Sequence, residues 1–597
     1  MLIMGSLIAY KITRARNQLM RIAVSSLTFF CLVSGDSVSS GLAAQSDIVV
    51  PQSAIGNYLA GRHAHVQDDL DSAIKFLTAA LRALPEVPDL LRQTFLLLVI
   101  EGRMEEAFPY AVRLINDKAN APIAHLATLV ASFRSGDLVR QTAIIKAQPD
   151  NGLNGLSKPI VQAWIKVNSG KIDEALEQLK VLDRKESSKA LYYSQKAIIL
   201  DFAERVTAAE AVYSRLFKIN KNQNFRLTQL FGNLLERMGK PEEARKIYKK
   251  FSNANPDSTL LTPAYARLLA KTKPKPLIAT SFDGVAEALF NIGASLSEQR
   301  ARETAMVFCR LALWLRPDFP IAQLMVADML DDDRRHIKAN ALYASIDPRS
   351  PFRLPADLRR AVNLNIVNRL DAAIKLLEKS IKKYPFTAQP LIKLGDLMRR
   401  NDRWNEAIDS YTKAIERLGV LDKRHWRILY SRGIVLERAK RWPEAEKDFL
   451  RALAFEPDQP YVLNYLGYSW VDKGVNLQKA LRMIHNAVRK KPNDGYIIDS
   501  LGWVYYRLGN YEKAVLELER AVQLRPEDPI INNHLGDAYW RVGRRLEARF
   551  QWKRALSFKP EAQVEEDVRQ KLEKGLLPLK PAGFPKSVDS PLTPDKT

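Results

Sequence analysis

The stretch that decides the fold is residues 495–526, which read GYIIDSLGWVYYRLGNYEKAVLELERAVQLRP. Its first half spaces apolar and small residues as on one face of a helix: Ile498, Leu501, Gly502 and Tyr505. Its second half has the same helical spacing: Ala514, Leu518 and Ala521. A Leu-Gly-Asn turn at 508–510 separates the halves, and Pro526 helps to end the second helix. The stretch therefore predicts two helices that approach closely at Gly502 and Ala514.

The same pattern recurs along the C-terminal third of the chain. Three residue types keep a period of 34 or 35 residues: glycines 433, 467, 502 and 536; alanines 445, 480, 514 and 548; and prolines 457, 492, 526 and 560. Three marks with one period indicate a repeat array, in which each unit stacks on its neighbours.

This pattern resembles the tetratricopeptide repeat, whose signature has this period and these residue types. Close matches are the segments 499–505 and 534–539, and the spacing of twelve between alanine and proline recurs as far back as Ala73 and Pro85. About fourteen units fit between Ala54 and Ala562. The resemblance implies an all-α fold, a right-handed superhelical solenoid of about fourteen antiparallel helix pairs. The array is similar in style to bacterial exported repeat proteins of envelope, secretion or pilus assembly.

Breaks in the pattern predict the domain organisation. We expect a signal peptide at 1–43, an N-terminal array at 54–270, and a linker or irregular loop at 271–285, where Lys-Thr-Lys-Pro-Lys-Pro cannot continue a helix. A C-terminal array follows at 286–562. Residues 563–575 predict a polar capping helix. The proline-rich tail at 576–597 is expected to be disordered.

The N-terminus predicts the location of the protein. Basic residues precede an apolar run at 22–33, and small residues at 41–43 offer a cleavage site. This order is typical of a secretory signal, and the run is short for a membrane span. We therefore predict a periplasmic or exported protein with no transmembrane helix after cleavage. The alternatives are an uncleaved leader that anchors the chain to a membrane, and a cytoplasmic protein with a misassigned start, since Met20 offers a second start.

The charge balance restricts the class of partner. Lys and Arg number 91 against 67 Asp and Glu, a net charge of +24. This excess suits an acidic protein or anionic envelope components such as lipid or cell-wall polymer. The basic residues are scattered along helices, and export conflicts with nucleic acid, so nucleic acid is not predicted.

No catalytic constellation, cofactor fingerprint or metal motif is found in the sequence. Gly170-Lys171 lacks the rest of a phosphate loop, His63 and His65 face apart on a helix, and Asp331–Asp333 lacks the rest of a calcium loop. The two cysteines exclude a disulfide framework. We predict no enzyme activity, no cofactor and no metal; a repeat-linked enzyme is a remote alternative.

Function is therefore predicted to lie on the inner face of the solenoid, which the first helix of each pair lines. The resemblance implies that this groove holds an extended peptide or a partner helix. In the last three units the inner face combines aromatic residues with Arg, Asn and Asp, which is the composition of interface anchors: Tyr461, Asn464, Tyr468, Tyr496, Asp499, Trp503, Tyr506, Arg507, Asn533, Asp537, Trp540 and Arg541. We expect a protein-interaction scaffold of the cell envelope, secretion or pilus assembly, with a cytoplasmic regulatory adaptor as the alternative.

Overall fold

The computed structural model describes residues 53–117, 121–147, 152–219 and 224–576. These residues form thirty α-helices and no strand. Fourteen antiparallel helix pairs account for all but two of them, so the predicted all-α fold of helix pairs is confirmed in the described part. The predicted signal peptide at 1–43 and all but the first residue of the predicted tail lie outside the described residues.

The chain divides into two compact units, the first of which ends at Pro85. Its described part is one helix pair, α1 (Ala54–Val66) and α2 (Leu70–Ala83). Ser53 and Asp69 cap the two helices by accepting hydrogen bonds from backbone N–H groups. Gly61 lets the helices meet, because a Cβ at Gly61 would lie 2.7 Å from the side chain of Leu77.

The second unit begins at Glu86 and holds the other twenty-eight helices. They are α3 (Pro88–Glu101), α4 (Met104–Asn116), α5 (Pro122–Ser135), α6 (Leu138–Ala147), α7 (Asn154–Asn168), α8 (Ile172–Leu179), α9 (Lys189–Phe202), α10 (Val206–Ile219), α11 (Phe225–Arg237), α12 (Pro241–Ala254), α13 (Thr262–Ala270), α14 (Ser281–Glu298), α15 (Arg302–Leu315), α16 (Pro320–Asp332), α17 (His336–Ser345), α18 (Arg353–Ile366), α19 (Leu370–Lys383), α20 (Gln389–Arg400), α21 (Trp404–Leu418), α22 (Trp426–Arg438), α23 (Trp442–Phe455), α24 (Pro460–Asp472), α25 (Leu477–Lys490), α26 (Gly495–Arg507), α27 (Tyr511–Leu524), α28 (Pro529–Arg541), α29 (Arg545–Ser557) and α30 (Ala562–Lys574). Helices α13 and α30 are the two that belong to no pair. None of the described helices is long and apolar enough to cross a membrane.

The small residues of the repeat lie where the two helices of a pair cross. A Cβ at Gly502 would lie 2.5 Å from Leu518, and one at Gly536 would lie 2.5 Å from Trp552. The alanines of the second helices, among them Ala514 and Ala548, are fully buried. Leucine or a larger residue at these positions would therefore separate the helices.

The chain leaves the paired pattern between α13 and α14. Lys271 ends α13 in the left-handed conformation, with φ of 51°. A non-helical segment then runs to Thr280, which caps α14 through a reciprocal pair of hydrogen bonds with Asp283. Helix α14 therefore begins at Ser281, inside the segment 271–285 for which a linker or loop was predicted.

Helices α14 and α15 lie against the first helices of earlier pairs. Helix α14 contacts α7 and α9, and α15 contacts α3 and α5. Such contacts are not those of a simple solenoid, in which each repeat contacts only its neighbours. They bring the chain back onto the inner face of its own N-terminal repeats.

Candidate partner-binding groove

The predicted site residues lie on three consecutive first helices, α24, α26 and α28. Helix α24 contacts α26, and α26 contacts α28. We call the inner face of these three helices the C-terminal groove. Three of the twelve predicted residues belong to α24, five to α26 and four to α28. The structure therefore brings the predicted residues onto one continuous surface, although it gives them different roles.

One edge of the C-terminal groove is an exposed apolar row. Tyr461 and Tyr496 are 42% and 51% exposed, each six residues before the glycine of its unit. Ile530 holds the same place in the next unit and is 46% exposed. Sequence reasoning missed Ile530 because it selected aromatic and polar residues, although the period of the repeat identifies this position.

The floor of the groove is a stack of rings centred on Trp503. The Trp503 ring lies 4.7 Å from that of Tyr506 and 4.1 Å from that of His534, nearly parallel to both. Trp540 packs on Trp552 at 5.3 Å. The pKa of Tyr468 lies well above its ordinary value, mainly because the hydroxyl is buried. The nearby Asp499 carboxylate raises this pKa further. These aromatic side chains are thus packed into the wall of the groove as well as facing it.

The polar residues beneath this stack are paired inside the protein. His534 Nδ1 lies 2.9 Å from Asp499 Oδ1, and both residues are buried. Asp537 accepts hydrogen bonds from Trp552 Nε1 at 2.9 Å and from Lys571 Nζ at 2.8 Å. Asp499 and Asp537 therefore connect neighbouring helices. Their carboxylates are engaged by groups of the protein itself.

Lys571 also joins the last helix, α30, to the groove. Its Nζ lies 3.1 Å from Asn533 Oδ1 and 2.6 Å from Asp567 Oδ2. Asn533 in turn donates to Asp567 Oδ2 at 3.1 Å. Asn533 is thus engaged by α30. The sequence could not identify this partner, because only the packing of α30 brings Lys571 to α28.

The buried pair of His534 and Asp499 favours the protonated imidazole. Burial acts to lower the pKa of His534, but the Asp499 carboxylate and then Asp537 outweigh it, so the pKa is raised above its ordinary value. Lys571 opposes this effect weakly. The pair holds α28 to α26 below the ring of Trp503.

Two buried polar atoms of the groove have no hydrogen-bond partner in the described chain: Nε1 of Trp503 and Oδ1 of Asn464. Unpaired buried groups of this kind are uncommon in folded proteins and costly, at about 1–3 kcal/mol each. One is a donor and the other an acceptor, and both are shielded from the surface of the groove.

The inner face of α7, α9 and α11, which we call the N-terminal groove, is occupied by the chain itself. Trp164 on α7 is fully buried against Gly284 of α14, where a Cβ would lie 2.2 Å from the indole ring. The indole Nε1 donates to Gln195 Oε1 on α9 at 3.0 Å. At the end of α7, Ser281 Oγ donates to Asn168 Oδ1 at 2.8 Å.

Helix α11 contributes two further contacts to the N-terminal groove. Arg226 forms a buried ion pair with Glu287 of α14, with Nε at 3.0 Å from Oε1. Asn233 Nδ2 donates to the backbone carbonyl of Lys275 at 3.0 Å. An inner-face asparagine thus holds the backbone of a non-helical segment of the same chain.

Comparison with known families identifies the repeats. Profiles described as TPR repeat or Tetratricopeptide repeat match residues 502–543, 392–460 and 230–258. A TPR repeat-containing protein of Pseudomonas aeruginosa is 28% identical over 189 residues, which are 32% of this chain and 31% of that protein. The chain therefore contains tetratricopeptide repeats, and the matched region spans about a third of the relative's length.

Solved structures with paired helices are also similar to the chain. One chain from the crystal structure of the APC/C hetero-tetramer Cut9–Hcn1 aligns with 88% of this chain. The alignment covers 97% of the Cut9–Hcn1 chain, at 16% identity and a TM-score of 0.37. A tetratricopeptide repeat protein from Parabacteroides merdae aligns over 42% of this chain and 97% of that chain, at 14% identity and a TM-score of 0.35.

Proposed function

We propose that this chain of tetratricopeptide repeats is a scaffold whose C-terminal groove binds a protein partner. The observation that carries the proposal is the contrast between the two grooves. The N-terminal groove is filled by α14 and the segment before it. By comparison, α24, α26 and α28 pack against helices of their own and adjacent pairs, and their edge leaves Tyr461 and Tyr496 exposed.

The groove has the composition of a protein interface. Aromatic rings supply contact area at low entropic cost, and guanidinium groups direct hydrogen bonds to carboxylate or carbonyl oxygens. Arg507 keeps donors available, since the contacts of its guanidinium are with the Asp472 carbonyl at 3.3 Å and the Asp472 carboxylate at 3.9 Å.

Site-specific photocrosslinking tests this proposal directly. A benzoylphenylalanine in place of Tyr496 should crosslink a protein in the cell of origin, because this side chain lies at the edge of the groove and is exposed. The matched control is the same probe in place of Leu516, which is also exposed but lies on the second helix α27. Equal products from both positions, or none from Tyr496, would contradict the proposal.

Substitutions then test which residues hold the captured partner. Trp503→Ala and Arg507→Ala should each weaken binding by about 1–3 kcal/mol, as interface anchors do. Lys513→Ala, on the second helix of the same pair, should change binding little. Circular dichroism should show the same helical content for all three variants. Full-strength binding by the Trp503/Arg507 double variant would place the partner elsewhere.

We further propose that the scaffold acts outside the cytoplasm, in the cell envelope, secretion or pilus assembly. The support is the order of basic, apolar and small residues at the N-terminus. Cell fractionation together with N-terminal sequencing of the mature protein tests this point. A mature chain that begins at Met1 or Met20 in the cytoplasm would favour the regulatory adaptor instead.

A further inference from the structure

The edge of the C-terminal groove opposite the apolar row carries arginines at one repeat position. Five residues after the glycine of its unit, each groove helix has Asp472 on α24, Arg507 on α26 or Arg541 on α28, and the two preceding units, outside the groove, have Arg400 and Arg438. Two of the three groove positions are therefore cationic, and the third is a carboxylate. Arg507 and Arg541 are the last residues of α26 and α28, so they lie at the far end of each helix from Tyr496 and Ile530.

These arginines retain unused hydrogen-bond donors. Arg541 donates through Nε to the Tyr506 hydroxyl at 3.2 Å, and Arg507 donates through Nη1 to the Asp472 carbonyl at 3.3 Å. In the described chain no carboxylate lies within 4.0 Å of Arg400, Arg438 or Arg541. A guanidinium has five N–H donors and pairs best with a carboxylate in a two-point contact.

The two edges define the width of the groove. Tyr496 and Arg507 are eleven residues apart on one helix, which corresponds to about 16 Å. A helix with its side chains is about 10–12 Å across, so it fits between the edges while side chains from both edges reach it. Neighbouring helices pack at about 8–10 Å, close to the length of two helical turns. A helix laid across α24, α26 and α28 would therefore present equivalent residues to successive units about once per heptad.

From this arrangement we infer that the C-terminal groove selects an amphipathic helix with a row of carboxylates on one side and apolar residues on the opposite side. The carboxylates meet Arg507 and Arg541, and the apolar side meets Tyr496 and Ile530. The inference rests on the proposed function and adds the chemistry of the partner. The chain's own C-terminal tail does not fit, because residues 577–597 contain three lysines and two aspartates.

Designed peptides test the inference on the full chain. The probe is a fluorescent helix-forming peptide of about 21 residues, about 31 Å long, with a glutamate row opposite a leucine row. Three controls keep its length: glutamine for glutamate, lysine for glutamate, and a scrambled order of the same composition. Fluorescence anisotropy should show at least tenfold weaker binding of every control than of the probe. Binding of the probe should also weaken as salt rises, because surface charges are screened.

Protein variants locate the contacts. The double variant Arg507→Gln/Arg541→Gln should weaken the probe at least tenfold. Tyr496→Ser/Ile530→Ser should weaken it about fivefold, since the exposed apolar area is lost. The matched control is Arg482→Gln/Arg549→Gln, which removes two charges from exposed positions on the second helices α25 and α29. It should leave binding within twofold of the original.

Several results would overturn the inference. If the scrambled peptide bound with the same affinity as the probe, the groove would recognise only the net charge of the peptide. Inorganic polyphosphate binding through the same arginines, with no effect of the Tyr496/Ile530 variant, would indicate a general polyanion surface. A protein could be crosslinked at position 496 and yet bind the Arg507/Arg541 variant as tightly as the original chain. That result would overturn the inference but leave the proposed scaffold function intact.

Discussion

Two tryptophans at one repeat position show how differently the two grooves are used. Trp164 on α7 and Trp503 on α26 each precede the alanine of the second helix by eleven residues, at Ala175 and Ala514. The first is fully buried beneath α14, and its indole N–H is bonded to Gln195. The second is half-buried between the rings of Tyr506 and His534, and its N–H has no hydrogen-bond partner in the described chain. One repeat architecture thus provides a surface that the chain itself covers in one region and, in the other, a surface that we propose is open to a partner.

The covered region depends on buried charge, which makes it the more vulnerable of the two. Glu287→Ala should destabilise the N-terminal groove by about 3–5 kcal/mol, because Arg226 is left buried without its carboxylate. Amide hydrogen exchange should rise in α11 and α14 and stay unchanged in α24 to α28. The control is Asp173→Ala, which breaks an exposed pair with Arg205 and should change stability little. A uniform rise along the chain would show that the two regions are not independent.

The open region should be most sensitive where its helices cross. Gly502→Leu should destabilise the pair α26 and α27 by about 1–3 kcal/mol, since even a Cβ would lie 2.5 Å from Leu518. Urea unfolding gives the free energy change, and hydrogen exchange should confine it to adjacent repeats. Tyr496→Leu on the same helix serves as the control, because that side chain is exposed. Equal stability of Gly502→Leu and the original protein would contradict the packing described for this pair.

A single hydrogen bond distinguishes the segment in the N-terminal groove from a loose linker. Asn233→Ala removes the donor to the Lys275 carbonyl and also the acceptor of Arg237 Nε, each at 3.0 Å, and should cost about 1–3 kcal/mol. Hydrogen exchange should increase at residues 272–280, whereas Asn255→Ala, at the end of α12 in the same helix pair, should leave that segment unchanged. Fast exchange of 272–280 already in the unaltered protein would show that the segment is not held in the groove.

The smallest effect expected is a pH dependence confined to the C-terminal groove. The pKa of His534 is raised in the folded protein, above all by the Asp499 carboxylate acting against burial. Its stabilising contribution is therefore complete below about pH 6.5, the ordinary value, and is lost as the pH rises through the folded pKa. Urea unfolding between pH 5.5 and 8.5 should show this loss in the original protein and not in His534→Gln.

The quantity to measure is the difference in unfolding free energy between the original protein and the His534→Gln variant. Burial lowers the pKa of His485 in the same array and of His125 on α5, so both oppose this trend. Both histidines remain in the His534→Gln variant and cancel in the comparison. If the difference between the two proteins is the same at both ends of the pH range, the pair of His534 and Asp499 is not ionic.

The sequence was sufficient to predict the repeat, because the glycine, alanine and proline that mark each unit lie close together in the chain. A glycine or alanine is needed where two helices cross, and the alanine and proline follow at fixed distances along the same pair. For the same reason it predicted that the first helices of the last three units form the inner face. The sequence could not distinguish the inner-face residues that are available for binding from those that pair within the protein. Asp499, Asn533 and Asp537 have the composition of binding groups, but their partners lie on helices that follow in the chain: His534 on α28 and Lys571 on α30.

What the sequence determined by itself is the helix pair and its period, since each depends on residues no more than about 35 positions apart. Only the tertiary structure decided which groove is open. The contacts that fill the N-terminal groove join Arg226 to Glu287 and Trp164 to Gly284, which lie 61 and 120 residues apart. No periodic pattern records such contacts, because they arise when α14 returns to helices that precede it by several repeats.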